Sequence, residues 1–123
     1  MFHSADNGDS WAPMNTGLTS TYVLAVAVNA NGDIFAGTYF GGGAFRSTDN
    51  GANWTEINIG LIATDVRALA VGADNTYYAG TYGLGIFRST DEGEIWTKVD
   101  NGLTARYIRA IAVAPNGDLF AGA

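Results

Sequence analysis

Three features of the sequence predict an all-β protein made of repeated four-stranded sheets. One eight-residue signature, Ser-x-Asp-x-Gly-x-x-Trp, occurs three times, starting at Ser4, Ser47 and Ser89. Short apolar stretches separated by turn sequences follow each copy, and no helical periodicity occurs. Glycine is abundant, with 17 residues, and charged residues make up only 15% of the chain. A repeat of about 40 residues with four short strands is typical of a β-propeller, in which each blade buries its faces only against its neighbours.

The two inner strands of each unit form a predicted hairpin. Strand A is small, β-branched and mostly apolar, as an innermost strand should be. A two-residue turn, Asn-Gly in two of the three copies, is predicted to join it to strand B, because both central residues of a type I′ turn need positive φ. Strand A is predicted over residues 22–28, 65–71 and 107–113, and strand B over residues 33–38, 76–81 and 118–122.

The two outer strands complete the unit. A glycine-rich link, residues 39–43 or 82–85, leads to strand C, which is predicted over residues 44–47 and 86–89 and from Phe2 in the first copy. The signature then turns the chain into strand D, which begins near the signature Trp. Four antiparallel strands in the order A, B, C, D are therefore expected in each blade.

The signature resembles the Asp-box, a repeat found in sialidases, in sortilin-type receptor ectodomains and in many bacterial propellers. The Asp carboxylate can accept backbone N–H groups in the turn, the Gly supplies positive φ, and the Trp is expected to pack back over the turn. The resemblance implies a structural role, because these boxes lie on the blade periphery, away from the binding face. The matching positions are Ser4, Asp6, Gly8, Trp11, Ser47, Asp49, Gly51, Trp54, Ser89, Asp91, Gly93 and Trp96.

A calcium site at residues 6–9 is the competing interpretation of the first signature, since this stretch reads Asp-Asn-Gly-Asp. It lacks the bidentate Glu at the twelfth loop position that an EF-hand type site would need. We therefore favour the structural turn, and we expect no metal site and no cofactor.

The order of the strands predicts self-assembly. The repeats are assigned to residues 2–44, 45–86 and 87–123, so that one blade is split between the two ends of the chain. Three blades cannot close a ring, because propellers need about four to eight, and open strand edges aggregate unless they are covered. We expect strand B of one chain to lie beside strand C of the next. A homodimer of six blades is favoured over a homotrimer of nine, and a fragment of a larger propeller or an engineered piece is the alternative.

Candidate ligand-binding residues lie where the mouth of the axial channel is predicted. Arg67 and Arg109 occupy the entry of strand A, where a planar guanidinium could bind a carboxylate or phosphate. Tyr39 and Tyr82 lie in the link between strands B and C and could stack on a sugar. The alternatives are that the arginines are solvated or paired with acids such as Asp65, and that the tyrosines close the gap between blades.

Composition excludes several partners. The chain carries 6 basic and 12 acidic residues, for a net charge of −6, which disfavours nucleic acid and an anionic membrane surface, since both need clustered Lys and Arg. Cysteine is absent, which excludes disulfides and thiolate metal sites. No apolar run is long enough to span a bilayer, and no targeting sequence is visible, so we expect one soluble unit.

An enzyme is disfavoured by the near-identity of the repeats. A sialidase-like site would need an arginine triad, a Tyr/Glu nucleophile pair and a separate Asp acid, drawn from non-equivalent blades. Most acids here fall in turns, and no pair of carboxylates is expected to face across a cleft as glycoside hydrolysis requires. The sequence thus favours a non-enzymatic scaffold or binding module. The second hypothesis is a lectin-like or anion-binding protein whose partner is a carbohydrate or small anion, and a glycosidase-related enzyme is the third.

Overall fold

The computed structural model describes residues 1–63 and 65–123, and this part of the chain contains strands and turns. No helix among these residues is long and apolar enough to cross a membrane. The strands are β1 (Phe2–His3), β2 (Ala12–Pro13), β3 (Val23–Val28), β4 (Ile34–Thr38), β5 (Ala44–Ser47), β6 (Thr55–Glu56), β7 (Val66–Val71), β8 (Tyr77–Thr81), β9 (Ile86–Ser89), β10 (Thr97–Lys98), β11 (Ala110–Val113) and β12 (Leu119–Gly122).

The strands form two complete blades and two half-blades. Blade 1 has the order β3-β4-β5-β6 and blade 2 the order β7-β8-β9-β10, with all neighbours antiparallel. The N-terminal half-blade is β1-β2, which are strands C and D of a unit, and the C-terminal half-blade is β11-β12, which are strands A and B. The predicted four-stranded unit is thus confirmed.

A β-bulge interrupts the innermost strand of both complete blades. The register of β3 against β4 shifts between Val23 and Ala25, and that of β7 against β8 shifts between Val66 and Ala68. Leu24 and Arg67 are therefore the extra residues of the two bulges. A bulge bends its strand and redirects the side chain of the extra residue, which bears on the candidate site below.

The predicted two-residue turns between strands A and B are wrong. In blade 1 the N–H of Asn29 bonds to the carbonyl of Asp33, and the N–H of Gly32 bonds to the carbonyl of Asn29, which leaves a three-residue loop. Of the loop residues only Gly32 has positive φ, at 87°. This is a type I turn followed by a left-handed residue, and the other two hairpins have the same bonds.

The innermost strand of the last unit is shorter than predicted. We expected strand A over residues 107–113, whereas β11 begins at Ala110. The preceding residues pair with blade 2 instead, since Tyr107 forms a bridge with Tyr82 and the N–H of Ile108 bonds to the carbonyl of Thr81. These bonds fasten the C-terminal half-blade to its neighbour.

The hydrophobic core lies between blades. Phe35 of blade 1 and Tyr77 of blade 2 are both fully buried, with ring centroids 4.4 Å apart. A β-carbon placed on Gly37 would lie 2.6 Å from Val66 Cγ1, so the sheets touch closely there. Each blade is therefore stabilised mainly by the blade beside it, as in other repeat proteins.

Candidate functional site

Each signature forms the same hydrogen-bonded turn. The Ser hydroxyl donates to the Asp Oδ1 over 2.7–2.8 Å and accepts the N–H of the Gly over 2.7–2.9 Å. The Asp Oδ1 accepts the N–H of the residue four positions later, over 2.8–2.9 Å. The Gly has positive φ as predicted, and sequence reasoning missed that the residue before it does too. Those residues are Asn7, Asn50 and Glu92.

These bonds hold the signature carboxylates in their charged form. Donation from the hydroxyl and the N–H of Ser10 and from the Ser4 hydroxyl lowers the pKa of Asp6 to about 2. The side-chain amide of Asn53 lowers the pKa of Asp49, and the N–H of Ile95 lowers that of Asp91. Within residues 1–63 and 65–123 no cluster of three His, Cys, Asp or Glu side chains could hold a metal ion.

The signature Trp of each complete blade fastens that blade to the preceding strand D. Trp54 donates Nε1–H to the Met14 carbonyl at 3.1 Å, and its N–H bonds to the Thr16 carbonyl at 2.9 Å. Trp96 makes the same two bonds at 2.8 Å, to the carbonyls of Ile57 and Ile59. The tryptophans therefore join blades as well as covering their own turns.

A glycine makes room for each of these contacts. A β-carbon placed on Gly17 would collide with the carbonyl oxygen of Trp54, and one placed on Gly60 would collide with that of Trp96. Gly102 occupies the same position in the last unit, but nothing lies within 4 Å of its β-carbon position. At Gly102 the C-terminal half-blade therefore has an unoccupied tryptophan-binding position, equivalent to the positions that Trp54 and Trp96 occupy.

Trp11 is the tryptophan without a neighbouring blade. It is 64% exposed, whereas Trp54 and Trp96 are 5% and 3% exposed. Trp11 is exposed because residues 1–63 and 65–123 place no strand D in front of it. Its indole still lies over its own turn, 3.8 Å from the β-carbon position of Gly8.

Two apolar faces are open and differ in shape. The leading face consists of Val26 and Val28 on blade 1, both exposed. The trailing face consists of Ala110, Ala112 and Phe120 on the C-terminal half-blade, also exposed. Phe120 is 61% exposed, whereas Phe35 at the same position of blade 1 is 1% exposed. One face projects branched side chains, and the other offers small residues beside one ring.

One residue from each of the three units lines an axial cavity. Leu24, Arg67 and Arg109 line a cavity of about 200 Å³. They occupy the same position in three successive units, so they can meet only if each points toward the axis around which the blades are arranged. The structure therefore brings together the two arginines that the sequence singled out.

Arg67 lies against two tyrosines. Its guanidinium carbon lies 4.0 Å from the ring centroid of Tyr82 and 5.5 Å from that of Tyr39. Such stacking is a favourable cation–π contact. The suggested pairing of Arg67 with Asp65 is wrong, because no carboxylate of the described residues lies within 4.0 Å of either arginine. The aromatic positions and the arginine therefore form one unit.

Tyr82 also closes a gap between blades. Its ring lies 4.6 Å from that of Tyr107 in an edge-to-face arrangement. Beside this pair is a cleft of about 600 Å³ that Arg106 and Arg109 also line. Sequence reasoning missed Arg106, since it is aligned with a threonine in each of the earlier units. Its position directly before strand A was the only available signal.

The fold is shared with three larger proteins. The extracellular domain of the putative one component system BT4673 from B. thetaiotaomicron matches with TM-score 0.70 and 19% identity over 92% of this chain and 15% of that chain. PorZ, a surface component of the type-IX secretion system of Porphyromonas gingivalis, matches with TM-score 0.66 and 17% identity over 94% and 19%. YCF48 bound to D1 peptide matches with TM-score 0.61 and 22% identity over 98% and 38%.

These proteins are of the β-propeller type, so the predicted fold class is confirmed. The chain spans at most 38% of the length of any of the three. No protein-family model and no curated protein sequence matches it. These similarities show the fold alone, and propellers serve many unrelated functions.

Proposed function

We propose that the chain is a non-enzymatic propeller scaffold that closes a ring by binding further copies of itself. In this assembly the C-terminal half-blade of one copy and the N-terminal half-blade of the next form one four-stranded blade. The observation that carries the proposal is the match between Trp11 and Gly102. Trp11 is a signature tryptophan that contacts no neighbouring blade, and Gly102 marks a tryptophan-binding position that no tryptophan occupies.

The blades within the chain fix the register of the proposed seam. Strand β4 pairs with β5 so that Phe35 faces Arg46, and β8 pairs with β9 so that Tyr78 faces Arg88. The same register would place Phe120 of one copy opposite His3 of the next. It pairs β12 with β1 and removes both open strand edges, which otherwise invite aggregation.

The faces beside the seam are complementary by the same rule. Gly37 contacts Val66, and Gly80 contacts Ile108, each with 2.6 Å between a β-carbon position and a methyl group. The equivalent pair across the seam is Gly122 with Val23 of the next copy. Within the chain Gly122 has no such neighbour, since the nearest atom to its β-carbon position is in Ala110 of its own sheet, at 3.5 Å. The leading face would then cover the trailing face.

Two copies are favoured for the closed ring. Each copy supplies two complete blades and two halves, so a dimer has six blades and a trimer nine. Six lies within the usual range of about four to eight. The contact is head to tail, and such contacts form a ring when the rotation closes.

The geometry of the three signatures supports their assignment as Asp-boxes with a structural role. The bonds made by their Ser and Asp side chains are all local, and the Asp carboxylates lie in the turns between strands C and D, outside the lining of the axial cavity. A box therefore shapes the turn that aims the tryptophan at the neighbouring blade. The same role is proposed for the first box, whose tryptophan would pack against Gly102 of another copy.

The oligomeric state tests the proposal. Light scattering during size-exclusion chromatography of the 123-residue chain should give the mass of a closed dimer or trimer. Phe120→Glu places a charge on the trailing face and should shift the mass to that of the monomer. Ile59→Glu is the matched control, because Ile59 is also exposed but lies outside both open faces. A monomeric wild-type chain at about 100 μM, well above the micromolar affinity of a modest interface, would overturn the proposal.

A non-enzymatic role is supported by the way the acids are used. The side chain of Glu92 takes no part in the hydrogen bonds of its signature turn and accepts hydrogen bonds from Arg46 and Asn75 at the junction of the blades. Asp33 accepts from the same Arg46. Incubation with chromogenic glycosides tests this part, and turnover that survives in Phe120→Glu would favour a glycosidase-related enzyme.

A second candidate function is lectin-like or anion binding at the channel mouth. The stacking of Arg67 on Tyr82 favours it, because the guanidinium is fixed without a carboxylate partner. This candidate does not compete with the scaffold, because both functions can reside in one ring.

A further inference from the structure

We propose that Arg67 and Arg109 form an axial oxyanion site, which takes a carboxylate or phosphate group and is completed by ring closure. The inference rests on the proposed assembly, since a second copy would place its own two arginines across the axis. One chain already contains half of the site.

The convergence of three equivalent positions is the first support. Leu24, Arg67 and Arg109 line one cavity of about 200 Å³, which is large enough for a phosphate or a small carboxylate. Two guanidinium groups that share a cavity repel each other, and a bound anion removes that repulsion. The site is therefore electrostatically incomplete when it is empty.

The environment of Arg67 is the second support. The rings of Tyr82 and Tyr39 lie over the guanidinium, at 4.0 Å and 5.5 Å from its central carbon. These contacts use no fixed hydrogen-bond acceptor, and the buried Nε–H of Arg67 has no hydrogen-bond partner among the described residues, so this donor is left for a ligand. The bulge at Arg67 holds the side chain in this orientation. Side-chain entropy is thus lost before the ligand arrives, which favours binding.

The distribution of charge is the third support. The chain has a net charge of −6, yet no carboxylate of the described residues lies within 4.0 Å of Arg67 or Arg109. By contrast, Arg46 bonds to Asp33 at 2.8 Å and to Glu92 at 2.7 Å. A planar fork without a fixed carboxylate suits an external oxyanion, because it can donate two parallel bonds.

The ligand class follows from these donors. An oxyanion with at least two oxygens fits the forks, and a charge beyond −1 fits the number of arginines in the ring. Inorganic phosphate and citrate represent free anions, whereas glucuronate represents the carboxylate of a sugar. Glucose is the neutral comparison for glucuronate.

Calorimetric titration of the assembled protein with each of these probes tests the site. Phosphate or citrate should bind, and the double variant Arg67→Gln, Arg109→Gln should lose at least about tenfold in affinity, as expected for charge-assisted bonds. Arg88→Gln is the matched control, since Arg88 is an exposed arginine of β9, and it should leave affinity unchanged. Binding of glucuronate but not glucose would assign a sugar acid, and binding of phosphate alone a free anion.

Light scattering on the same samples separates this inference from the assembly. The double variant should keep the wild-type mass, because neither arginine lies in the proposed seam. If the chain is monomeric, the ring is wrong, but probe binding that the double variant loses would still support the arginine pair. Absence of binding for all charged probes at millimolar concentration would overturn the site. So would equal affinities in the wild type and the double variant.

Discussion

The junctions inside the chain and the open flanks are built from the same residues in opposite environments. Trp54 and Trp96 are buried against a preceding strand D, whereas Trp11 is 64% exposed. Gly17 and Gly60 are packed under tryptophan carbonyls, whereas Gly102 faces open space. The local turn geometry is nevertheless the same in all three units.

This difference shows that the signature turn and the junction between blades contribute separately to stability. Side-chain bonds within eight residues form each turn, and they form whether or not a neighbouring blade is present. Burial of the tryptophan requires the neighbour. Contacts between units therefore contribute to the stability of this fold in addition to the turns, as expected for repeat proteins.

The largest predicted effect separates a junction tryptophan from a flank tryptophan. Trp54→Ala should lower the free energy of unfolding by about 3–5 kcal/mol, because a buried aromatic side chain is lost from the blade junction. Trp11→Ala should leave that free energy nearly unchanged in the monomer and should instead weaken association. Urea unfolding at a concentration at which light scattering shows monomer measures the first effect. Equal losses in the two variants would contradict the comparison.

A smaller effect should separate two glycines at equivalent positions. Gly60→Ala should destabilise the chain by about 1–3 kcal/mol, because the new methyl group would overlap the Trp96 carbonyl. Gly102→Ala adds the same methyl group in open space, so the monomer should lose only about 1 kcal/mol for placing an alanine at positive φ, a cost that Gly60→Ala shares. In the proposed ring it would meet Trp11 of another copy, so it should raise the dissociation constant. Thermal unfolding and light scattering of both variants measure these outcomes, and dimerisation unaffected by Gly102→Ala would contradict the seam.

The fold could be predicted from the sequence because its signals are local and repeated. The signatures mark their turns, and the predicted strand C is observed as β5 and β9 with the same bounds. The hairpin turns were mispredicted because Asn31-Gly32 is also compatible with a three-residue loop, in which only the glycine needs positive φ. Sequence pattern alone does not separate the two.

The candidate site was only partly predictable. Alignment of the repeats selected Arg67 and Arg109, but not the bulge that redirects Arg67 or its stacking on Tyr82. Those depend on how adjacent blades are packed, which no single repeat encodes. The exposure of Trp11 was missed for the same reason, since its own turn is intact and only a neighbour is lacking.

Acid should weaken all three signature turns. The effect should be measured most directly at the turn that contains Asp6. The folded-state pKa of Asp6, about 2, lies below the ordinary value of 3.8, so its ionised form stabilises the fold. That contribution is complete above about pH 4 and is lost as the pH falls toward 2. Thermal unfolding of the wild type should decline over this range, and Asp6→Asn should remove part of the decline. An Asp9→Asn variant is the control, because Asp9 takes part in the turn through its backbone N–H and not through its side chain.

The smallest predicted effect tests the strand register of the proposed seam. His3 stands at the strand position of Arg46, which bonds to Asp33 of the adjacent strand. In the proposed register His3 would lie near Asp118 of the preceding copy, at the position equivalent to Asp33. His3→Arg would therefore add an ion pair across the seam and strengthen association by about 0.2–1 kcal/mol, the usual range for an exposed pair.

A double-mutant cycle tests this last expectation. Adding Asp118→Asn to His3→Arg should cancel the gain, whereas Asp118→Asn alone should change the dissociation constant less. Sedimentation equilibrium over a range of protein concentrations measures all four constants. A gain that persists without Asp118 would mean that the arginine has another partner, and the register inferred from blades 1 and 2 would then not apply between copies. Because the cycle compares charge placement and not folding, it tests the register even where the variants differ in stability.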